Sequence, residues 1–94
     1  MFQELFQIIQ DRKQHRPQGS YTTRLMEAGQ DTILKKIGEE AVEVILAASR
    51  QGKQRLVEET ADLFYHIFVL LSLSEISLDE VEDELRQRHH PGGK

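Results

Sequence analysis

The chain has no cysteine, so neither a disulfide framework nor a thiolate metal site is open to it, and a reducing cytoplasm suits it. The N-terminus lacks a basic stretch leading into an apolar run, so no signal peptide is expected. No run is long enough to span a bilayer. The most apolar stretch, Leu63 to Leu73, is interrupted by His66 and Ser72 and falls short of the roughly 20 apolar residues that spanning requires. A basic surplus is missing too. Sixteen acidic residues face twelve basic ones, a net charge of −4, which argues against a nucleic-acid footprint. It leaves a small nucleotide substrate open, because a bound divalent cation offsets local negative charge. Strand-like alternation and internal repeats are absent as well. The expectation is one soluble all-α domain over 1–88, followed by a flexible tail over 89–94.

What is present reads as four helices. The first runs from Phe2 to His15, with Phe2, Leu5, Phe6 and Ile9 on one apolar stripe. It ends before Arg16-Pro17, since the residue ahead of a proline is pushed out of the α region. From Pro17 to Gly29 the sequence predicts a loop, with at most a helical turn at Arg24 to Ala28; a loop of that length inside a small domain is usually functional. The second helix is predicted to start at Asp31 as N-cap and to end near Arg50, with Gly52 as its stop. The third runs from about Lys53 to Ser74. The fourth opens on a capping box, Ser77 with Glu80, and fades at Arg88. The third helix is apolar on nearly every side from Leu63 to Leu73, so it has to be surrounded by protein. Four helices from one chain do this only tightly, and a bundle completed by a homodimer is the expected solution.

Four acids stand where two core-facing stripes begin. On the second helix Ile33, Leu34, Ile37, Ala41, Val44, Ile45 and Ala48 form the apolar stripe, at about 100° per residue. Glu40 lies at its margin and Glu43 about 60° further round, with Lys36 between them and Glu39 beyond. On the third helix Glu59, Asp62 and His66 fall within about 60° of one another, beside Leu63 and Leu70. Partly buried carboxylates repel each other and need a proton or a cation. Mg²⁺ is a hard cation that takes oxygen ligands, and carboxylates from facing helices are a common way to hold such ions. The bland alternative is a solvated acidic face with surface pairs such as Lys35-Glu39 and Lys36-Glu40. His66, one turn from Asp62, reads first as a core histidine hydrogen-bonded to Asp62, then as a substrate contact, and last as a metal ligand.

The pattern Glu39-Glu40-x-x-Glu43 followed by Glu59-x-x-Asp62 resembles the signature of the MazG-like all-α nucleotide pyrophosphohydrolases. Ser20-Tyr21-Thr22 with Leu25 and Gly29, the run Lys35 to Glu43, and the run Glu59 to His66 narrow the resemblance to the phosphoribosyl-ATP pyrophosphatase family. The resemblance spans nearly the whole chain, to Arg88. It implies Mg²⁺-dependent hydrolysis of 1-(5-phosphoribosyl)-ATP to the AMP compound and pyrophosphate, the second step of histidine biosynthesis, by a homodimer. It further implies that Glu40, Glu43, Glu59 and Asp62 hold Mg²⁺, with Glu39 a ligand, a neighbour of a ligand, or the base. Lys35 or Lys36 would neutralise phosphate as a point cation. Arg24 would clamp phosphate through two parallel hydrogen bonds, and Ser20 and Thr22 would add hydroxyl contacts. Two other readings stand beside this one: a house-cleaning pyrophosphohydrolase of free nucleotides, and a non-catalytic dimeric helical module.

Overall fold

The computed structural model describes residues 1–93, and every regular element among them is helical. Helix α1 spans Phe2–His15 as its apolar spacing requires, and closes where Arg16 turns to φ 46°, ψ 57° ahead of Pro17. The predicted loop is largely a helix. After Gly19 and Ser20, α2 runs over Tyr21–Ala28, and the Ser20 hydroxyl caps it by accepting a hydrogen bond from the Thr23 amide. A single residue, Gly29, then serves as C-cap of α2 and N-cap of α3, Gln30–Leu46. Gly29 has φ 96°, ψ 179°, backbone that essentially only glycine adopts. The N-cap is therefore Gly29 rather than the predicted Asp31. Asp31 instead lies in the first helical turn, where its charge suits the helix dipole.

Past Leu46 the helix widens into a π turn, Ala47–Gln51, that stops at Gly52, φ 89°. Helix α4 follows over Lys53–Leu73, and α5 over Leu78–Arg88. The Ser77–Glu80 capping box is realised in both directions. The described residues thus carry five α-helices and a π turn, not the four helices expected. Beyond α5 a bend and a turn occupy 89–93; Lys94, the end of the expected tail, lies outside the described residues.

The core gathers Phe6 and Ile9 of α1, Leu25 and Met26 of α2, Ile33 of α3, Phe68 and Val69 of α4, and Leu78 of α5. Phe2 and Phe6 meet Phe68 edge-on, with ring centroids 5.5 and 6.1 Å apart. Helix α4 is the central strut, packed by α1, α2, α3 and the π turn. Its contact with α3 is the most extensive in the fold and sets the acids of the two helices face to face. The stripe predicted for α3 is only partly covered. Of its members Ile33 is fully buried, whereas Leu34 and Ile45 are 45 and 66% exposed; Val42 and Leu46, which lie off that stripe, are 54 and 41% exposed. No single helix among the described residues is long and apolar enough to cross a membrane.

Candidate metal centre

The α3–α4 seam brings three of the four sequence-selected acids together. Glu40, Glu43 and Glu59 each offer a carboxylate oxygen, and the three lie within 4.8 Å of one another. Their surroundings differ. Glu59 is 3% exposed, Glu40 half-buried and Glu43 exposed, so the cluster opens outward from a buried floor. One oxygen of Glu40 and one of Glu59 are buried with no hydrogen-bond partner. A buried acceptor left unmade costs on the order of 1–3 kcal/mol, more for a charged group, and nearby carboxylates offer no proton while all are ionised. A cation or a shared proton would satisfy these oxygens, and a divalent ion with oxygen preference fits the donor set.

The electrostatics express the same strain. Glu40 is held above the ordinary carboxylate value of 4.5, first by burial, then by hydrogen bonding to Glu59 and the charge of Asp62. Glu59 is also raised, first through its hydrogen bond with the Glu43 carboxyl, then by burial. Carboxyls with raised folded-state values contribute stability that is complete below 4.5 and is lost as pH climbs through those values. In metal-free buffer the melting-temperature advantage of Glu40→Gln over wild type should therefore grow as pH rises from 4.5. Thermal melts in EDTA test this, and an advantage that stays flat with pH would contradict the strained-acid account.

Asp62 stands outside the triad, exposed, yet close enough for its charge to act on Glu40. Glu39 is exposed and lines a groove along α3 with Lys35, Gly38, Val42, Glu43 and Leu46; it is not brought into the triad. Lys36 is half-buried. On α2, Thr22 is buried and bonded to the Tyr65 hydroxyl. Arg24 is exposed, with its guanidinium 5.6 Å from the Tyr21 ring centroid. His66 is buried, and its Nδ1 donates to the backbone carbonyl of Asp62 at 2.8 Å, not to the carboxylate. Its Nε2 lies 3.1 Å from the Tyr21 hydroxyl, in hydrogen-bond contact.

Two residues of this region receive no role from the sequence. Tyr21 ties α2 to α4 through His66 and stacks on Tyr65 at 6.1 Å; its partners are more than forty residues away, so no local spacing reveals them. Arg55 forms an ion pair with the buried Glu59 at 2.5 Å. Its i,i+4 spacing to Glu59 is a legible signal.

The family model described as phosphoribosyl-ATP pyrophosphohydrolase matches residues 2–89. A phosphoribosyl-ATP pyrophosphatase of Metallosphaera sedula is 51% identical over 88 residues, 94% of this chain and 95% of that relative. One from Bacillus cytotoxicus is 50% identical over 88 residues, covering 94% and 82%. One from Sulfurisphaera tokodaii is 44% identical over 84 residues, 89% of each.

Proposed function

We propose that this chain, which belongs to the phosphoribosyl-ATP pyrophosphohydrolase family, hydrolyses 1-(5-phosphoribosyl)-ATP to 1-(5-phosphoribosyl)-AMP and pyrophosphate in histidine biosynthesis, in the cytoplasm. The observation that carries the chemistry is the pair of buried, unpartnered oxygens of Glu40 and Glu59 beside Glu43. In this reading Glu40, Glu43, Glu59 and Asp62 hold Mg²⁺. Bound there, the ion neutralises phosphate charge and lowers the pKa of a water. The side chains do the remaining work. Glu59, anchored in the floor of the cluster, holds its carboxylate in one position, while the exposed Glu43 and Asp62 face the substrate side. Glu39, on the open flank, is the carboxylate with freedom to accept the proton of the attacking water. Lys35, in the same groove, and Lys36 supply positive charge for the phosphates. Arg24 grips a phosphate from α2, and Ser20 and Thr22 serve binding by fixing that helix through its cap and through Tyr65.

Arg24→Ala separates binding from metal retention. Loss of a charge-assisted phosphate contact should lower kcat/KM by roughly ten- to a hundredfold, with Mg²⁺ affinity nearly unchanged. Steady-state kinetics beside a calorimetric metal titration check both, and lost metal binding would show that Arg24 belongs to the acidic centre.

The same reading takes the protein as a homodimer. Its support is the exposed apolar stripe of α3 together with Val57 and Phe64 of α4, 55 and 39% exposed. Competitive turnover of 1-(5-phosphoribosyl)-ATP, ATP and dUTP tests the substrate. A preference of orders of magnitude for the first is expected; equal or faster turnover of ATP or dUTP would make this a general nucleotide pyrophosphohydrolase.

A further inference from the structure

We infer that Arg55 is the resident counter-ion of the acidic triad, holding Glu59 until a divalent cation arrives and then yielding that carboxylate. The inference rests on the reading of Glu40, Glu43 and Glu59 as cation ligands. Arg55 forks between two acids: Nη2 reaches Glu59 at 2.5 Å and Nη1 reaches Glu58 at 2.7 Å. The two partners are unlike. The Glu59 side chain is 4% exposed and Glu58 45%, with Arg55 itself 50% exposed. An ordinary i,i+4 surface pair joins two solvated groups and is worth little. Here one end is a buried carboxylate of the proposed metal centre.

The compensation Arg55 gives is incomplete. Its guanidinium satisfies one Glu59 oxygen, while the other oxygen and one of Glu40 stay buried and unpartnered. One positive charge stands against three clustered acids, and a divalent ion brings two. Glu58 is the second half of the device. Gln54 donates to its other oxygen at 3.0 Å, so Glu58 is held in place and keeps a salt bridge for Arg55 after Glu59 is surrendered. The guanidinium therefore has somewhere to go, on the solvent side of α4.

The test is a titration with Mn²⁺, an octahedral oxygen-seeking probe, of wild type, Arg55→Gln and Lys53→Gln. Lys53 is an exposed cation on the same helical turn and reports the effect of net charge alone. Arg55→Gln should bind Mn²⁺ about three- to tenfold tighter, and tighter than Lys53→Gln. In EDTA at pH 8 it should melt below wild type, and saturating Mn²⁺ should close that gap. Equal or weaker Mn²⁺ affinity in Arg55→Gln, an equal gain in Lys53→Gln, or an unchanged melt in EDTA would each overturn the inference alone. If wild type binds no Mn²⁺, the metal reading fails and the inference with it.

Discussion

Glu40→Gln should cost about three orders of magnitude in turnover or more, while the protein stays folded. Metal-assisted charge stabilisation is worth several kcal/mol, and each ~1.4 kcal/mol is a tenfold change in rate. Gln keeps the shape of Glu40 and one acceptor oxygen, so the α3–α4 packing is retained, but the charge that a divalent ion needs is gone. Because Glu40 sits among like charges and is half-buried, neutralising it removes repulsion in the metal-free state. The variant should therefore melt at or above wild type in EDTA and below wild type in saturating Mg²⁺. That crossover marks a functional acid rather than a structural one. A non-catalytic helical module whose acids are only surface pairs predicts instead no change in metal affinity, and calorimetric titration of Mg²⁺ into both proteins distinguishes the two.

The second large effect concerns the uncovered face of α3. Ile45→Glu should turn a dimer into a monomer at micromolar concentration and lower the melting temperature by more than about 10 °C. Burying an Ile, Leu or Val side chain stabilises by about 1.5–3 kcal/mol, and burying a carboxylate in its place adds a desolvation penalty. Two-fold symmetry inserts the change twice in one interface. For a chain of this size each kcal/mol shifts the melt by roughly 4–8 °C. Leu34, Val42 and Ile45 are the residues at stake, all more than two-fifths exposed in the single chain. Sedimentation equilibrium of wild type and variant reads the outcome. A monomeric wild type would remove the homodimer from the account, and a dimeric Ile45→Glu would take α3 out of the interface and leave it to Val57 and Phe64 of α4 beside Phe2 and Leu5.

Where the fold is governed by local rules, the sequence carries it openly. Phe2–His15 follows from a regular apolar stripe and a proline stop, and the start of α5 from a capping box that is fully formed. Helix α2 is hidden because half of its buried face is threonine: Thr22 and Thr23 stand beside Leu25 and Met26. Threonine helps a helix little on its own, and its burial here depends on distant partners such as Tyr65. The π turn at Ala47–Gln51 leaves no mark in composition. The same division holds for the site. Glu40, Glu43 and Glu59 are legible because charge at the edge of an apolar stripe is costly, whereas the position of Asp62 outside their cluster depends on how α3 and α4 cross. Tyr21 belongs to the region only through tertiary contact.

The most direct test is pyrophosphate release from 1-(5-phosphoribosyl)-ATP by wild type, followed by ³¹P resonance with Mg²⁺ and again with EDTA, beside Glu40→Gln. The account predicts stoichiometric pyrophosphate with Mg²⁺, none above background with EDTA, and a near-silent variant. Pyrophosphate released at an undiminished rate in EDTA, or by Glu40→Gln, would contradict a divalent-cation centre built on these carboxylates.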